Sequence, residues 1–352
     1  MASTTQSEQE TLLYPFAAPP DIGRAIEVAP GIFWARVPLP FRLNHVNIYL
    51  IDDGDGWTIV DTGLDFEGGR AAWEALLADP MGGRPITRVI VTHLHPDHIG
   101  LAGWLCRKFD APMLTAQSSY LGCLNVALRP GTLTDGPYQD FYLHHGFDRR
   151  AMEQINTEGH AYLWKVAPLP LTFSRILAGD VLTIGGRDFS VLFCEGHAVD
   201  QIVLYCESEG LFLAADQVLA KITPNVSVWP VEPDGDPLGL YLRSLDEIKS
   251  TVTDKALVLP GHQLPFYRLH MRCEELAAHH EARCSAIREA CAIRPRSAAE
   301  LVPVLFHIQL DAHQMGFAFS EAMAHLNYML RKGELWREKN KSGVYQFAIN
   351  QP

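Results

Sequence analysis

No uninterrupted apolar run in this 352-residue chain approaches the length a membrane-spanning helix needs, so an integral membrane protein is not expected. The opening residues Met1 to Glu10 lack the basic start and apolar stretch of a secretory signal, which makes the cytoplasm the expected compartment. Cysteine is sparse and odd in number, seven without a Cys-x-x-Cys pair. A disulfide framework is therefore not expected, and buried or free thiols in a reducing compartment are. Positive charge is also short: 29 Lys and Arg stand against 41 Asp and Glu, a net charge of −12. That balance disfavours nucleic acid or another polyanion as partner unless a local basic patch exists. The deficit is uneven. Residues 268–352 hold 11 basic and 9 acidic side chains, leaving 18 basic and 32 acidic residues before them.

What is present is an ordinary globular composition, 47% hydrophobic and 20% charged, in a chain long enough for two or three domains. The most informative run is Thr92-His93-Leu94-His95-Pro96-Asp97-His98, placed directly after the apolar Val89-Ile90-Val91. Neutral imidazole and carboxylate are the side chains that hold zinc and similar divalent ions, and four so densely packed imply a cation between them. His93 and His95 alternate on an extended chain and so point the same way. Asp97 and His98 fall at a turn that can swing toward a second ion, which is the layout of a two-metal hydrolytic site.

The pattern H-x-H-x-D-H resembles that of the metallo-β-lactamase superfamily, and further elements follow in the order the resemblance requires. Asp61-Thr62-Gly63 comes after Trp57 to Val60, and Glu195-Gly196-His197 after Phe189 to Phe193. Asp216 closes Leu211 to Ala215, and His262 closes Leu257 to Gly261. The resemblance implies a four-layer αβ/βα sandwich with His93, His95 and His197 on one metal. It puts Asp97, His98 and His262 on the second, with Asp216 bridging the two. Asp97 is the expected proton shuttle, and Asp61 is expected to fix the metal loop rather than bind metal. The implied chemistry is attack by a hydroxide shared between two divalent ions. Zinc is the default ion, with iron or manganese compatible because no cysteine occupies a ligand position. Ala198 and Ala215 depart from the threonine and glycine common in glyoxalase II-like relatives. No basic cluster for glutathione is evident.

The expected reaction is hydrolysis of a small-molecule ester or thioester, an acyl-CoA-like substrate foremost, with lactones and β-lactams compatible. The alternative is a nucleic-acid-binding metallo-nuclease or regulator. The domain reading is an N-terminal extension at 1–25, a catalytic domain at 26–268 and a helical winged-helix-like module at 269–352. Within the module, periodicity predicts a helix over 270–291 and a capping box at Ser297 to Glu300. It also predicts a helix from about Ser320 to Lys332 and a hairpin of Leu335 to Arg337 with Val344 to Phe347. The predicted third helix offers only Arg331 and Lys332 to a phosphate backbone, so packing or homodimer formation is the expected role. An aromatic-rich insertion at about 117–175 either shapes a substrate pocket as a lid or packs its own core, and the two are compatible. His144-His145 and His279-His280 match no element of the pattern and are expected on exposed faces.

Overall fold

The computed structural model describes residues 11–128, 136–154 and 165–350. Tyr162 and Trp164 of the insertion and the first ten residues of the extension lie outside them. The first half of the chain runs β1 (Ala25–Ala29), β2 (Ile32–Pro38), β3 (His45–Asp52), β4 (Trp57–Val60), α1 (Glu67–Ala78), β5 (Ile86–Ile90), α2 (Pro96–Ile99), α3 (Ala102–Phe109), β6 (Met113–Thr115), α4 (Gln117–Leu128), α5 (Gly136–His144), α6 (Arg149–Gln154) and β7 (Ser174–Arg175). The second half runs β8 (Val181–Ile184), β9 (Arg187–Cys194), β10 (Gln201–Cys206), β11 (Leu211–Ala215), α7 (Pro237–Thr251), β12 (Leu257–Pro260), α8 (Leu269–Ile293), α9 (Ala298–Leu305), α10 (Ala312–Arg331), β13 (Leu335–Lys339) and β14 (Tyr345–Ile349).

Strands β1 to β7 form one sheet in chain order, and β8 to β12 form a second. The central strands β3, β4, β10, β11 and β12 are buried on both faces because each sheet is covered twice. On β3, Tyr49 and Ile51 point into the layer between the sheets, while Val46, Ile48 and Leu50 point to the layer under α1 and α3. On β10 and β11, Ile202, Leu204, Leu211 and Leu213 face the inter-sheet layer. Val203, Tyr205, Phe212 and Ala214 face the opposite way, toward α7, α8 and α10. Period-two alternation thus builds helix, sheet, sheet and helix in four layers.

Strand direction places the functional loops at one edge. β4 and β5 are parallel, as are β11 and β12. β9 and β11 are each antiparallel to β10, so β9 runs the same way as β11. The ends of β4, β5, β9, β11 and β12 therefore open on the same side. Hydrogen bonds stitch the two sheets there: Asn47 N donates to Gly261 O at 2.7 Å and Ile202 N to Thr92 O at 2.8 Å. The Tyr49 hydroxyl donates to Pro260 O at 2.8 Å.

The C-terminal helices and hairpin occur in the predicted order. Ser297 and Glu300 make the predicted capping box of α9. α10 begins earlier than its periodicity suggested, because Asp311 and Gln314 cap it reciprocally. These elements share one continuous core with the outer face of the second sheet, where Phe212, Tyr241, Leu276, Phe319 and Phe347 lie together. Described aromatics of the insertion bury themselves likewise. Tyr120 stacks on Phe173 with centroids 4.1 Å apart and donates to Pro170 O, and Phe141 and Tyr142 pack on Phe319. All seven cysteines are free and buried. Among the described residues no helix is long and apolar enough to cross a membrane.

Candidate metal centre

All seven predicted ligands converge at the strand-end edge. Asp61 leaves β4 in the left-handed region at φ 62°, a conformation an aspartate tolerates better than most residues. Held there, its carboxylate accepts from Thr92 N at 2.8 Å and from the Thr92 hydroxyl, and its Oδ2 accepts from His98 Nδ1 at 2.8 Å. The loop after β5 is thereby fixed at both ends. The expected turn at Asp97 and His98 is the short helix α2, and Thr62 secures it by donating twice to His98 O.

One rule organises four of the imidazoles, His93, His98, His197 and His262: the outward nitrogen of each is occupied, which aims the other inward. The Thr92 hydroxyl gives its proton to Asp61, so it accepts from His93 Nδ1 at 2.9 Å. His197 Nδ1 donates to Asn225 O at 2.8 Å, and His262 Nδ1 to His45 O at 2.8 Å. His98 is set by Asp61. His93, His98, His197 and His262 therefore all present Nε2 to one small volume, joined by His95 Nδ1 at 3.0 Å from His93 Nε2. His93, His95 and His197 make one set whose donor atoms lie within 4.8 Å of one another; Asp97, His98 and His262 make another. Asp216 lies between them, with Oδ2 at 3.5 Å from His197 Nε2 and 3.2 Å from His262 Nε2, and Oδ1 at 3.4 Å from His98 Nε2.

The donor chemistry fits a cation. His93 and His197 each spend their one proton on an outward acceptor, so two bare nitrogens face each other at 3.3 Å. Such lone pairs repel unless a positive ion lies between them. His98 Nε2 and Asp216 Oδ1 are buried without a hydrogen-bond partner, an arrangement that costs free energy unless something else satisfies them. Burial and neighbouring imidazoles hold His93 well below the ordinary histidine value and His95 at about 3. Burial would lower His98 and His262 too, but the carboxylates of Asp216 and its neighbours outweigh it. His98 rises well above its ordinary value and His262 to about 10. Burial would raise Asp97, yet His98 and His262 bring it down to about 2. Asp97 is also the more open of the two carboxylates, its side chain 24% exposed against 8% for Asp216.

Other parts of the site had no distinct sequence signal. The carbonyls of Asn225 and His45 orient two ligands, and a backbone acceptor can come from any residue type. Gly261 lies so close to Asp216 Oδ1 that a Cβ there would stand 2.1 Å from it. Pro260-Gly261-His262 could have drawn attention to that position, since glycine before a ligand allows close approach.

The paired histidines are a correction. His280 is fully buried and His145 is 4% exposed, against the expectation of exposed faces. His280 shares the apolar side of α8 with Cys273, Leu276, Cys284 and Ile287, and His145 lies under the hairpin between Phe141 and Tyr345. With Glu321 and His325, His280 forms a further group of donor atoms within 4.8 Å. That group does not suit a cation. Arg283 already pairs with Glu321, so an added ion would leave uncompensated buried charge. His325 Nδ1 donates to Glu321 O, which leaves its Nε2 to accept from His280 Nδ1 at 3.1 Å. This is a polar tie between α8 and α10.

Residues 42–262 match the metallo-beta-lactamase superfamily, and residues 284–350 match a metallo-beta-lactamase-like C-terminal domain. The chain is 27% identical over 301 residues to the probable metallo-hydrolase YqjP of Bacillus subtilis, covering 84% of this chain and 90% of that protein. A solved beta-lactamase domain protein from Burkholderia ambifaria superposes with a TM-score of 0.89 at 40% identity, over 96% of this chain and 98% of that one. A shorter likeness, 39% over 74 residues, links it to an atrochrysone carboxyl ACP thioesterase of Passalora fulva. That match covers 20% of this chain and 21% of the thioesterase.

Proposed function

The chain belongs to the metallo-beta-lactamase superfamily, and from that premise we propose that it is a metal-dependent hydrolase of a small-molecule ester or thioester, an acyl-CoA-like substrate foremost. The observation that carries the reading is the inward aim of four Nε2 atoms and His95 Nδ1 onto Asp97 and Asp216. His93, His95 and His197 would hold one ion and Asp97, His98 and His262 the other, with Asp216 between. Imidazole and carboxylate without thiolate favour zinc and also accept iron or manganese. Bound there, the ions supply positive charge that acidifies water and stabilises the anion developing on the attacked acyl group.

The chain's own residues account for orientation and proton transfer. Asp61 and Thr92 lock the loop that presents His93, His95, Asp97 and His98. Asp97, open to solvent on one side, carries the proton released as water adds to the acyl carbon. It returns that proton to the oxygen or sulfur as the acyl bond breaks. The thioesterase likeness and the acidic balance of residues 1–267, 18 basic against 32 acidic side chains, support an acyl substrate over a phosphodiester. Burial of α10 also speaks against the nuclease alternative. Glu321, His325 and Asn327, the polar groups it would bring to a groove, are all buried.

The test is turnover of a panel of thioesters, esters, lactones and β-lactams by purified chain, chelated and then resupplied with Zn²⁺ or Mn²⁺. Chelation should abolish hydrolysis of at least one thioester or ester, and metal should restore it. Salt-sensitive retention of DNA or RNA without such turnover would replace this reading with the nuclease alternative.

A further inference from the structure

Between β11 and α7 the chain runs through residues 216–236 without a helix or strand. The segment begins at Asp216, and its Asn225 carbonyl orients His197. So long an irregular stretch is uncommon inside a compact domain, and this one is substantially buried, at Gln217 to Ala220 and again at Val226 to Val228. Buried backbone groups need partners. Near its start the catalytic part provides some: the Tyr241 hydroxyl donates to Gln217 O, and Gln263 Oε1 accepts from Lys221 N and Ile222 N.

Many of the remaining ties come from the C-terminal helices. Arg272 of α8 donates through Nε to Leu219 O at 2.7 Å and through Nη2 to Ile222 O at 3.0 Å. Ser320 O of α10 accepts from Val228 N at 3.0 Å. Asn327 Nδ2 donates to both Pro233 O and Gly235 O at 2.9 Å, and Arg331 donates to Asp234 O at 2.8 Å. Arg272 and Asn327 are themselves 8% and 3% exposed. A buried guanidinium and a buried amide, each spent on two carbonyls of one irregular segment, hold it at either side of Asn225.

We propose that the C-terminal helices act as a clamp on the ligand-bearing segment, with Arg272 and Asn327 as positioning residues for Asp216 and His197. The inference rests on reading those two residues as metal ligands. It gives the C-terminal part a task in the metal centre rather than in recognition of a macromolecule. Groups that orient ligands from outside the coordination shell typically change metal affinity by about 10- to 100-fold when lost. Loosening the segment at one end should act through the same geometry.

The experiment measures Zn²⁺ affinity of the full chain by competition with a chromophoric chelator, beside the unfolding midpoint of the chelated protein. Asn327→Leu removes both donors at similar volume, and Arg272→Lys keeps the charge while breaking the two-carbonyl fork. Arg288→Gln breaks the pair with Glu334 elsewhere in the same helical layer and serves as control. Asn327→Leu should weaken Zn²⁺ binding about 10- to 100-fold, Arg272→Lys less, and Arg288→Gln not measurably. If Asn327→Leu does not fold, Arg272→Lys decides the matter alone. Native affinity in the folded variants, with only a lowered midpoint, would overturn the clamp and leave the contacts purely structural. A wild-type chain that binds no Zn²⁺ would overturn the metal assignment as well.

Discussion

Adding one methyl group at Gly261 should disable the site while sparing the fold. A Cβ at this position stands 2.1 Å from Asp216 Oδ1 and 3.1 Å from both the Ala215 carbonyl carbon and His98 Cε1. Carbon–oxygen contacts settle at about 3.3 Å or more, so the carboxylate oxygen and the methyl must separate by roughly 1 Å. The backbone of Gly261 cannot supply that movement easily. Its N–H donates to Ala215 O at 2.6 Å and its carbonyl accepts from Asn47 N at 2.7 Å, pinning it between the two sheets. The softer degree of freedom is the Asp216 side chain, which sits among His98, His197 and His262. A misplacement of about 1 Å can cost on the order of 100-fold in rate. Gly261→Ala should therefore lose about 100-fold in thioester or ester turnover and lower the ion content per chain, with an unchanged far-ultraviolet circular dichroism spectrum. Elemental analysis of unchelated protein and steady-state kinetics read both quantities. Near-native turnover with a full metal complement would refute the placement of Asp216 against Gly261 and the bridging role built on it.

Asp216→Asn keeps the shape but removes the charge between the two sets of imidazoles. It should reduce turnover more than loss of a peripheral group, and two retained ions with native turnover would move the bridge elsewhere. His93→Ala should abolish activity yet leave the unfolding midpoint of chelated protein nearly unchanged, because packed strands rather than ligands hold the core; collapse of the fold would contradict that. Metal binding should release protons at neutral pH. In the ion-free chain His98 stays protonated well above its ordinary range and His262 up to about 10, so a cation must displace those protons. Affinity should then rise with pH through neutrality, and calorimetric enthalpies should differ between buffers of unlike ionisation heat; equal enthalpies would count against it. Tyr120→Ala removes a ring stacked on Phe173 and should cost roughly 3 kcal/mol of stability without altering metal content. A change in KM alone, at native stability, would favour the lid reading for that residue.

The sequence alone picked out the side chains that meet at the candidate metal centre. Each follows an apolar run that ends where a strand ends, and both the strand pattern and the ligand residue types are local signals. It also located the three C-terminal helices and their hairpin, since a capping box and helical periodicity are read within a few turns. The tertiary structure decided what the local signals could not. His197 and His262 are oriented by the carbonyls of Asn225 and His45, and a carbonyl acceptor is common to every residue type. The glycine at 261 matters because of an oxygen on Asp216, which pairing of β11 with β12 brings alongside. The expectation for His279-His280 fell for the same reason: composition marks a histidine as polar, but only the seating of α8 against α7 and α10, where Tyr241 and His325 meet it, buries His280. The turning of that helical layer toward residues 216–236 likewise follows from packing between segments distant in the chain, and no pattern of neighbouring residues encodes it.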